Sequence, residues 1–452
     1  MRSRPRFAPV IYSVVLASAL ASCGDKPGAT GSGSAGGGGE LLVAWAKWQP
    51  ADALETLAKD FTAETGVKVT VSQTPWPTYK DKTFVEFSKK SDRYDIVVGD
   101  SQWLGEGATK GHYLELTDWL PKNVDLSKIS PSALRFFCEY PAGSGRYYAA
   151  PCETDGVGIA YRRDWFEDPK EMAAFRAKYG RALAPPETWE EFRDVAEFFT
   201  RPDEKRYGCA ILTGRSYDAA TMGFQQFMWS FGGSYGDPVT FAVEGKLNSP
   251  ETVEAMKFYR SLIPFSPKGG SNYAYEDCTQ NFSNGLTAMT MNYFAFYPQM
   301  VKDLGAEKVG FFVVPGKRQP DGTIRRAASL GGQGFSIVSY VSDERKALAK
   351  KFIAWFSGKE RQEKWVALGG FTANQEVLES EAFSKASPYN AAFAASIPYL
   401  QDFWAVPEFG DLVAATQKYF GQAIDGTMDE KSALDALAKE HEAIFRKAGR
   451  LK

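Results

Sequence analysis

The chain has 452 residues, 44% of them hydrophobic, with 53 Lys and Arg against 55 Asp and Glu for a net charge of −2. This balance excludes a disordered chain and gives little attraction to phosphate backbones or anionic lipid, so no nucleic-acid partner is expected. The length calls for two or more domains, each with its own core, and only His112 and His441 are present to serve imidazole chemistry.

At the N-terminus, Arg2, Arg4 and Arg6 precede an apolar run over residues 7–21 that ends in Leu20-Ala21-Ser22-Cys23. The run is shorter than the roughly 20 residues of a spanning helix, so residues 1–22 read as a cleaved export signal. Loss of that segment removes three arginines and no acid and takes the net charge to −5. Small residues ending at a cysteine resemble the bacterial lipoprotein signal, which implies that Cys23 takes a diacylglycerol and becomes the new N-terminus. An ordinary signal peptide that ends near a cysteine is the alternative. Residues 24–39 (GDKPGATGSGSAGGGG) carry almost no apolar side chains, and 23–40 reads as a flexible tether with a reach of roughly 20 to 24 Å. No later segment offers 18 consecutive apolar residues, so the membrane is expected to be reached through the lipid only.

From Leu41 the pattern alternates: strand 41–46, helix 51–64, strand 67–73, helix 81–89 and strand 94–99. In the first helix Leu54, Leu57, Ala58 and Phe61 share one face, and Gly66 ends it. A β-α-β-α-β order builds a parallel sheet with ligand loops outside its carboxyl ends. A second region offers strands at 147–150, 157–161, 207–212, 288–292, 309–315 and 335–339. Helices are predicted to start near Thr188, Pro250 and Asp343, and the tail 409–447 is helical with a break at Asp425-Gly426. With Cys23 given to lipid, Cys138, Cys152, Cys209 and Cys278 remain. Three pairings are possible; closure entropy favours Cys138 with Cys152 and Cys209 with Cys278, and four buried thiols are the alternative.

No GxSxG, HExxH, GxxxxGK[ST], strand-linked GxGxxG or CxxC is present, so no hydrolase triad, metal or cofactor is expected. His441 lies in the charged stretch Lys439-Glu440-His441-Glu442 and reads as part of a solvated helix face. Glu153 and Asp155, two apart on a strand, could share a face as a glycosidase pair. Aromatic residues instead gather where strands end: Trp45, Lys47 and Trp48; Trp76 and Tyr79; Asp100, Ser101, Gln102 and Trp103. Sugar C–H faces pack on aromatic rings and sugar hydroxyls pair with carboxylates and amides, so a sugar or polyol site is expected.

The chain resembles the extracellular solute-binding proteins of bacterial ABC transporters, in the sugar-binding family that includes maltose-binding protein. The resemblance rests on the lipoprotein signal with its tether, on LLVAWAKWQPADALETLAKDFTAETGVKVTV, YDIVVGDSQWLGEGATKGHYLELTDWL and YYAAPCETDGVGIAYRRDWFED, and on the order in which WSFGGSY, NGLTAMTMNYFAFYPQM, SLGGQGFSIVSY and a helical C-terminus follow. The family's Pro-Ala-Asn turn stands here as Thr372-Ala373-Asn374. The resemblance implies an α/β, two-lobed periplasmic-binding-protein fold of type II, each lobe a mainly parallel sheet flanked by helices, with the ligand cleft between them. Lobe 1 would be 41–153 plus 332–372, and lobe 2 would be 154–331 plus 373–452. The chain would cross between lobes near Glu153 to Asp155, Gly331 to Gln333 and Phe371 to Ala373.

Carried over by position, Trp45, Lys47, Trp48, Asp100, Gln102, Trp103, Glu153 and Asp155 would line the cleft from the first side. Trp229, Gly233, Asn292 and Tyr293 would face them, with Gly332 and Gln333 at the hinge. The implied protein is a non-enzymatic, monomeric lipoprotein, exported and held at the periplasmic or extracytoplasmic face of a membrane. It would capture a carbohydrate or polyol and pass it to the transmembrane subunits of an ABC permease. The alternatives are an exported glycan-degrading enzyme using Glu153 and Asp155, or the same fold with an anionic or amino-bearing solute, the last prompted by Lys47 beside Trp48.

Overall fold

The computed structural model describes residues 39–452; the export signal, Cys23 and the tether up to residue 38 lie outside them. Eight strands carry the architecture: β1 (Glu40–Ala46), β2 (Lys68–Thr74), β3 (Ile96–Asp100), β4 (Ala150–Arg162), β5 (Tyr207–Ala210), β6 (Thr287–Tyr293), β7 (Val309–Val313) and β8 (Ala328–Ile337). They form one hydrogen-bonded path, β2-β1-β3-β8-β4-β6-β5, with β7 also paired to β4. β1 runs parallel to β2 and β3, and β5 runs parallel to β6, whereas β4 and β8 are antiparallel to their neighbours.

Buried apolar side chains divide into two large bodies. One draws on Leu41 to Cys152 and on Phe335 to Trp365. The other draws on Val157 to Leu330 and on Ala373 to Phe445, together with Ile129, Ala133, Phe137 and Cys138. β4 and β8 leave one body and enter the other as an antiparallel pair, with Leu330 opposite Gly156, Gly332 opposite Thr154 and Gln333 opposite Glu153. Gly332 is required here: its φ is +112°, and a Cβ would lie 2.6 Å from the Glu153 carbonyl oxygen and 2.8 Å from the Thr154 Cα. A third segment joins them, where the Thr154 N–H donates to the Phe371 carbonyl at 3.3 Å and the Ser130 N–H to that of Ala373 at 2.9 Å. The Thr372-Ala373-Asn374 turn is closed by its own side chains. The Thr372 hydroxyl donates to Gln362 at 2.7 Å and accepts the Asn374 N–H at 2.9 Å.

The expected elements appear with shifted ends. The first helix is Gln49–Thr65, buries Leu54, Leu57, Ala58 and Phe61, and stops at Gly66 with φ 73°. Thr188 caps Trp189–Phe199 with a reciprocal Glu191 contact, and Ser249 and Ser342 cap the helices starting at Pro250 and Asp343. The tail is two helices, Phe409–Asp425 and Glu430–Lys447. Of the strand expected at 147–150 only Ala150 is strand, and it is continuous with the one expected at 157–161 in β4, because Glu153-Thr154-Asp155 break the apolar pattern but not the backbone ladder to β8.

Two expectations are corrected. The four cysteines are free, buried thiols rather than two disulfides. Cys138 packs in the second apolar body and Cys152 in the first, while Cys209 faces the Leu262 carbonyl and Ser266, and each behaves as a small core residue. His441 is not on a solvated face: it is fully buried, with Nε2 3.0 Å from both Thr416 Oγ1 and the Leu412 carbonyl oxygen. The charges around it in sequence project outward while it points between the last two helices.

Two measurements follow. Thiol titration of the chain unfolded without reductant is expected to find Cys138, Cys152, Cys209 and Cys278 all reactive; four blocked thiols would contradict the structure. Burial lowers the His441 pKa to about 4 from an ordinary 6.5. The unfolded chain therefore takes up the proton first, and His441's contribution, complete above pH 6.5, is lost as pH falls through 4, by up to roughly 3 kcal/mol. The melting-temperature advantage of the natural protein over His441→Gln should shrink between pH 7 and pH 4.5.

Candidate functional site

Where the two apolar bodies meet, a cavity of about 750 Å³ of empty space, counting its mouth, opens beside the β4/β8 crossing. Its first wall comes from the carboxyl ends of β1, β2 and β3, which deliver Trp48, Trp76, Asp100 and Gln102. The floor is the crossing itself, with Asp155 from β4 and Leu330, Gly331, Gly332 and Gln333 from β8. The opposite wall holds Ser216, Tyr217 and Asp218, which precede the helix Ala219–Phe231, then Ala274, Tyr275 and Glu276 at the start of Tyr275–Ser283, and finally Tyr293 and Phe296.

Of the residues expected from sequence, Trp48, Asp100, Gln102, Asp155, Tyr293, Gly332 and Gln333 line this cavity. Trp45 stands behind it, fully buried, donating from Nε1 to Gln333 Oε1 at 2.5 Å and stacked on Trp365 with ring centres 6.1 Å apart. Trp103 is also buried and donates to the Tyr217 hydroxyl at 3.2 Å. Asn292 is a support: its amide donates to the Tyr275 carbonyl at 2.9 Å and to Thr279 at 3.1 Å, and its oxygen accepts the Tyr293 N–H at 2.9 Å. Trp229 and Gly233 do not reach the site. The helix that begins at the cavity carries Trp229 about 16 Å along its axis into the second core, where it meets Tyr235. A Cβ on Gly233 would meet Thr252 and Met228. Lys47 is exposed and lines a wider outer depression that shares Trp48, Glu276 and Phe296 with the inner cavity.

Ser216, Tyr217, Asp218, Tyr275, Glu276 and Phe296 were not foreseen. The signal available was their place at helix starts, the same rule that picked out the first wall. Tyr217 has φ +52°, an uncommon conformation for a side chain of its size. Its hydroxyl bridges to the other wall, 3.2 Å from Trp103 Nε1 and 3.5 Å from Gln102 Oε1. Such strain at a ligand cavity is where function, rather than packing, tends to hold a residue.

The electrostatics of the site are acidic. Burial raises Asp100 to about 6 and Asp155 and Asp218 to about 7. The Ser101 hydroxyl resists the shift at Asp100, the Gly156 and Ala295 N–H groups resist it at Asp155, and the Tyr275 hydroxyl does so at Asp218. Glu153, on the same edge of β4, is fully buried with neither oxygen hydrogen-bonded, and burial pushes its pKa well up. It does not line the cavity, so Glu153 and Asp155 do not face a common substrate as a catalytic pair would. Among the described residues no three His, Cys, Asp or Glu side chains could hold a metal ion, and no helix is long and apolar enough to cross a membrane.

Comparison with known proteins gives a consistent family. Residues 47–363 match the sequence profile of the bacterial extracellular solute-binding proteins. An erythritol/L-threitol-binding protein of Mycolicibacterium smegmatis is 23% identical over 410 residues, covering 87% of this chain and 80% of that one. A maltotriose-binding protein of Pyrococcus abyssi is 24% identical over 417 residues, 90% and 82% of the two chains. The solved structure of an ABC transporter solute-binding protein from Agrobacterium radiobacter K84 in complex with ribitol has a TM-score of 0.76 at 24% identity. It covers 90% of this chain and 99% of its own. The fold is thus the two-lobed periplasmic-binding-protein type expected from the sequence.

The raised carboxyls carry a prediction. A group whose folded pKa lies above its unfolded value of 3.8 weighs against the fold at high pH and ceases to do so once pH falls below 3.8. Asp218→Asn and Asp155→Asn should therefore melt above the natural, ligand-free protein at pH 8 and lose that advantage by pH 4, as read by scanning calorimetry. An advantage unchanged between the two pH values would mean these carboxyls are not the ionised groups described.

Proposed function

On the premise that the chain belongs to the bacterial extracellular solute-binding protein family, we propose that it captures a sugar or polyol in the cavity at the β4/β8 crossing and delivers it to the transmembrane subunits of an ABC permease. The observation that carries this reading is the chemistry of the lining. Ring faces of Trp48, Trp76, Tyr217, Tyr275, Tyr293 and Phe296 surround carboxylates and the amides of Gln102 and Gln333, from both apolar bodies at once. Rings take the C–H faces of a sugar or polyol, and planar oxygens and amides take its hydroxyls. The names of the relatives, which bind erythritol, L-threitol, ribitol and maltotriose, support the same class.

In this reading the two bodies are lobes, 41–153 plus 332–372 and 154–331 plus 373–452, that hinge about the three crossing segments. Closure buries the solute, so a hydroxyl missing from the ligand leaves a buried partner unpaired and costs about 1 to 3 kcal/mol. Selectivity arises without a bond being made or broken, in keeping with a family of binding proteins. The chain would act as a monomer, tethered through lipid on Cys23 to the extracytoplasmic face of a membrane.

Thermal-shift screening followed by calorimetry against tetritols, pentitols, hexitols and maltose oligomers tests the proposal. At least one compound should stabilise the protein with one-to-one stoichiometry, by roughly 2.7 kcal/mol at a hundredfold excess over its dissociation constant. Trp48→Ala, which removes a ring at the mouth, should weaken it at least tenfold, and the ligand should be recovered chemically unchanged. Turnover of the ligand, or a panel without a single binder, would overturn the reading.

A further inference from the structure

We propose that the captured solute carries a protonated amine: it is an amino sugar or amino polyol rather than a neutral one. The inference rests on the carbohydrate reading above and narrows it. Four carboxyl side chains line the cavity, those of Asp100, Asp155, Asp218 and Glu276, and its lining contains no lysine, arginine or histidine. Among the described residues none of the four takes part in an ion pair. The cation that acts on Asp100 from behind the wall is Lys80, which is 3.9 Å from Glu106 and lies over the rings of Phe84 and Phe409. Carboxylates withdrawn from water are ordinarily matched by a cation. Here the lining does not supply one.

Three of the four also carry donors that partly offset the burial that raises them. Asp155 accepts the Gly156 N–H at 2.7 Å and the Ala295 N–H at 3.3 Å, Asp218 accepts the Tyr275 hydroxyl at 2.7 Å, and Asp100 accepts the Ser101 hydroxyl at 3.1 Å. Donors aimed at a carboxyl favour its ionised form. Asp100 and Asp218 further stand at the N-caps of the helices Ser101–Thr109 and Ala219–Phe231, where the helix end stabilises negative charge. Glu153 marks the contrast: both of its buried oxygens lack any donor, and burial pushes its pKa well up.

Six aromatic rings share the lining, and an aromatic face attracts an ammonium group as well as a C–H face. A neutral polyol would donate to the carboxylate lone pairs but leave their charge uncompensated. An amine does both. An anionic solute would meet four like charges, and a metal ion would need three converging ligands that the described residues do not provide.

Matched ligands test this directly. Calorimetry on the purified chain would compare D-glucosamine with D-glucose and N-acetyl-D-glucosamine, and glucamine with D-glucitol. The amine is expected to bind at least tenfold tighter than its hydroxyl partner, with acetylation removing the gain. Glu276→Gln at the exposed rim and Asp218→Asn on the wall should each cut that preference, read as the ratio of amine to neutral affinity in the same variant, at least threefold. Circular dichroism melting would confirm that both variants fold. Equal or tighter binding of the neutral partners would overturn the amine and leave the carbohydrate reading standing. If neither these compounds nor any sugar or polyol bound, both would fall.

Discussion

The backbone ladder between β4 and β8 is the constraint on which the rest of the molecule depends. From Leu330 opposite Gly156 to Gln333 opposite Glu153, two antiparallel strands pass from one apolar body into the other. A ladder fixes spacing and register without needing apolar side chains, so it tolerates the polar sequence Glu153-Thr154-Asp155 in a buried position. Of these, the Asp155 side chain is thereby free to serve in the floor of the cavity. Gly332 makes the close approach of the two backbones possible, and its neighbour Gly331 leaves the room that the Tyr293 ring fills.

Around that floor the same local device is used repeatedly. A strand or loop ends, a helix begins, and the residue at the junction faces the cavity: Trp76, Asp100, Asp218 and Glu276 each stand at or within the first two positions of a helix. Helix starts carry unsatisfied N–H groups and partial positive charge, which offsets part of the cost of burying an acidic side chain there. The fold thus provides the means to keep a carboxylate-rich, aromatic cavity without placing a single basic residue in its lining.

Much of this was legible in the sequence because it is local. The 3.6-residue spacing of Leu54, Leu57, Ala58 and Phe61, the capping residues Thr188 and Ser249, and the aromatic residues after β1, β2 and β3 all report on neighbours along the chain. What failed depends on distant segments. Trp229 and Gly233 sit in a motif next to a cavity-facing helix, yet the direction of that helix carries them away, and no periodicity encodes direction. Tyr217, Tyr275 and Phe296 converge only because β6 and two helix starts are packed side by side. His441 looked solvated because Glu440 and Glu442 flank it, whereas the burial of one face between two helices depends on the partner helix Phe409–Asp425. Closeness in sequence favoured cysteine pairing, but core packing put Cys138 and Cys152 in different apolar bodies.

The contacts that join the two bodies across the cavity are sparse and long. Trp103 Nε1 reaches the Tyr217 hydroxyl at 3.2 Å, that hydroxyl reaches Gln102 at 3.5 Å, and the Gln102 amide reaches the Met222 sulfur at 3.9 Å. Arg450 meets the Tyr140 hydroxyl at 3.4 Å. Hydrogen bonds weaken steeply towards these distances, so the set holds the walls together only loosely. Tyr217 adds a cost of its own through its left-handed backbone. Without a guest, then, this arrangement combines marginal bridges, one strained residue and several buried carboxyls that no cation in the lining matches. A solute that supplies donors to Asp100, Asp155 and Asp218 and a surface to the rings removes the largest of these costs. In the proposed clamp the difference between occupied and empty closure would thereby be concentrated in the solute, which is what closing on a ligand and reopening without it requires.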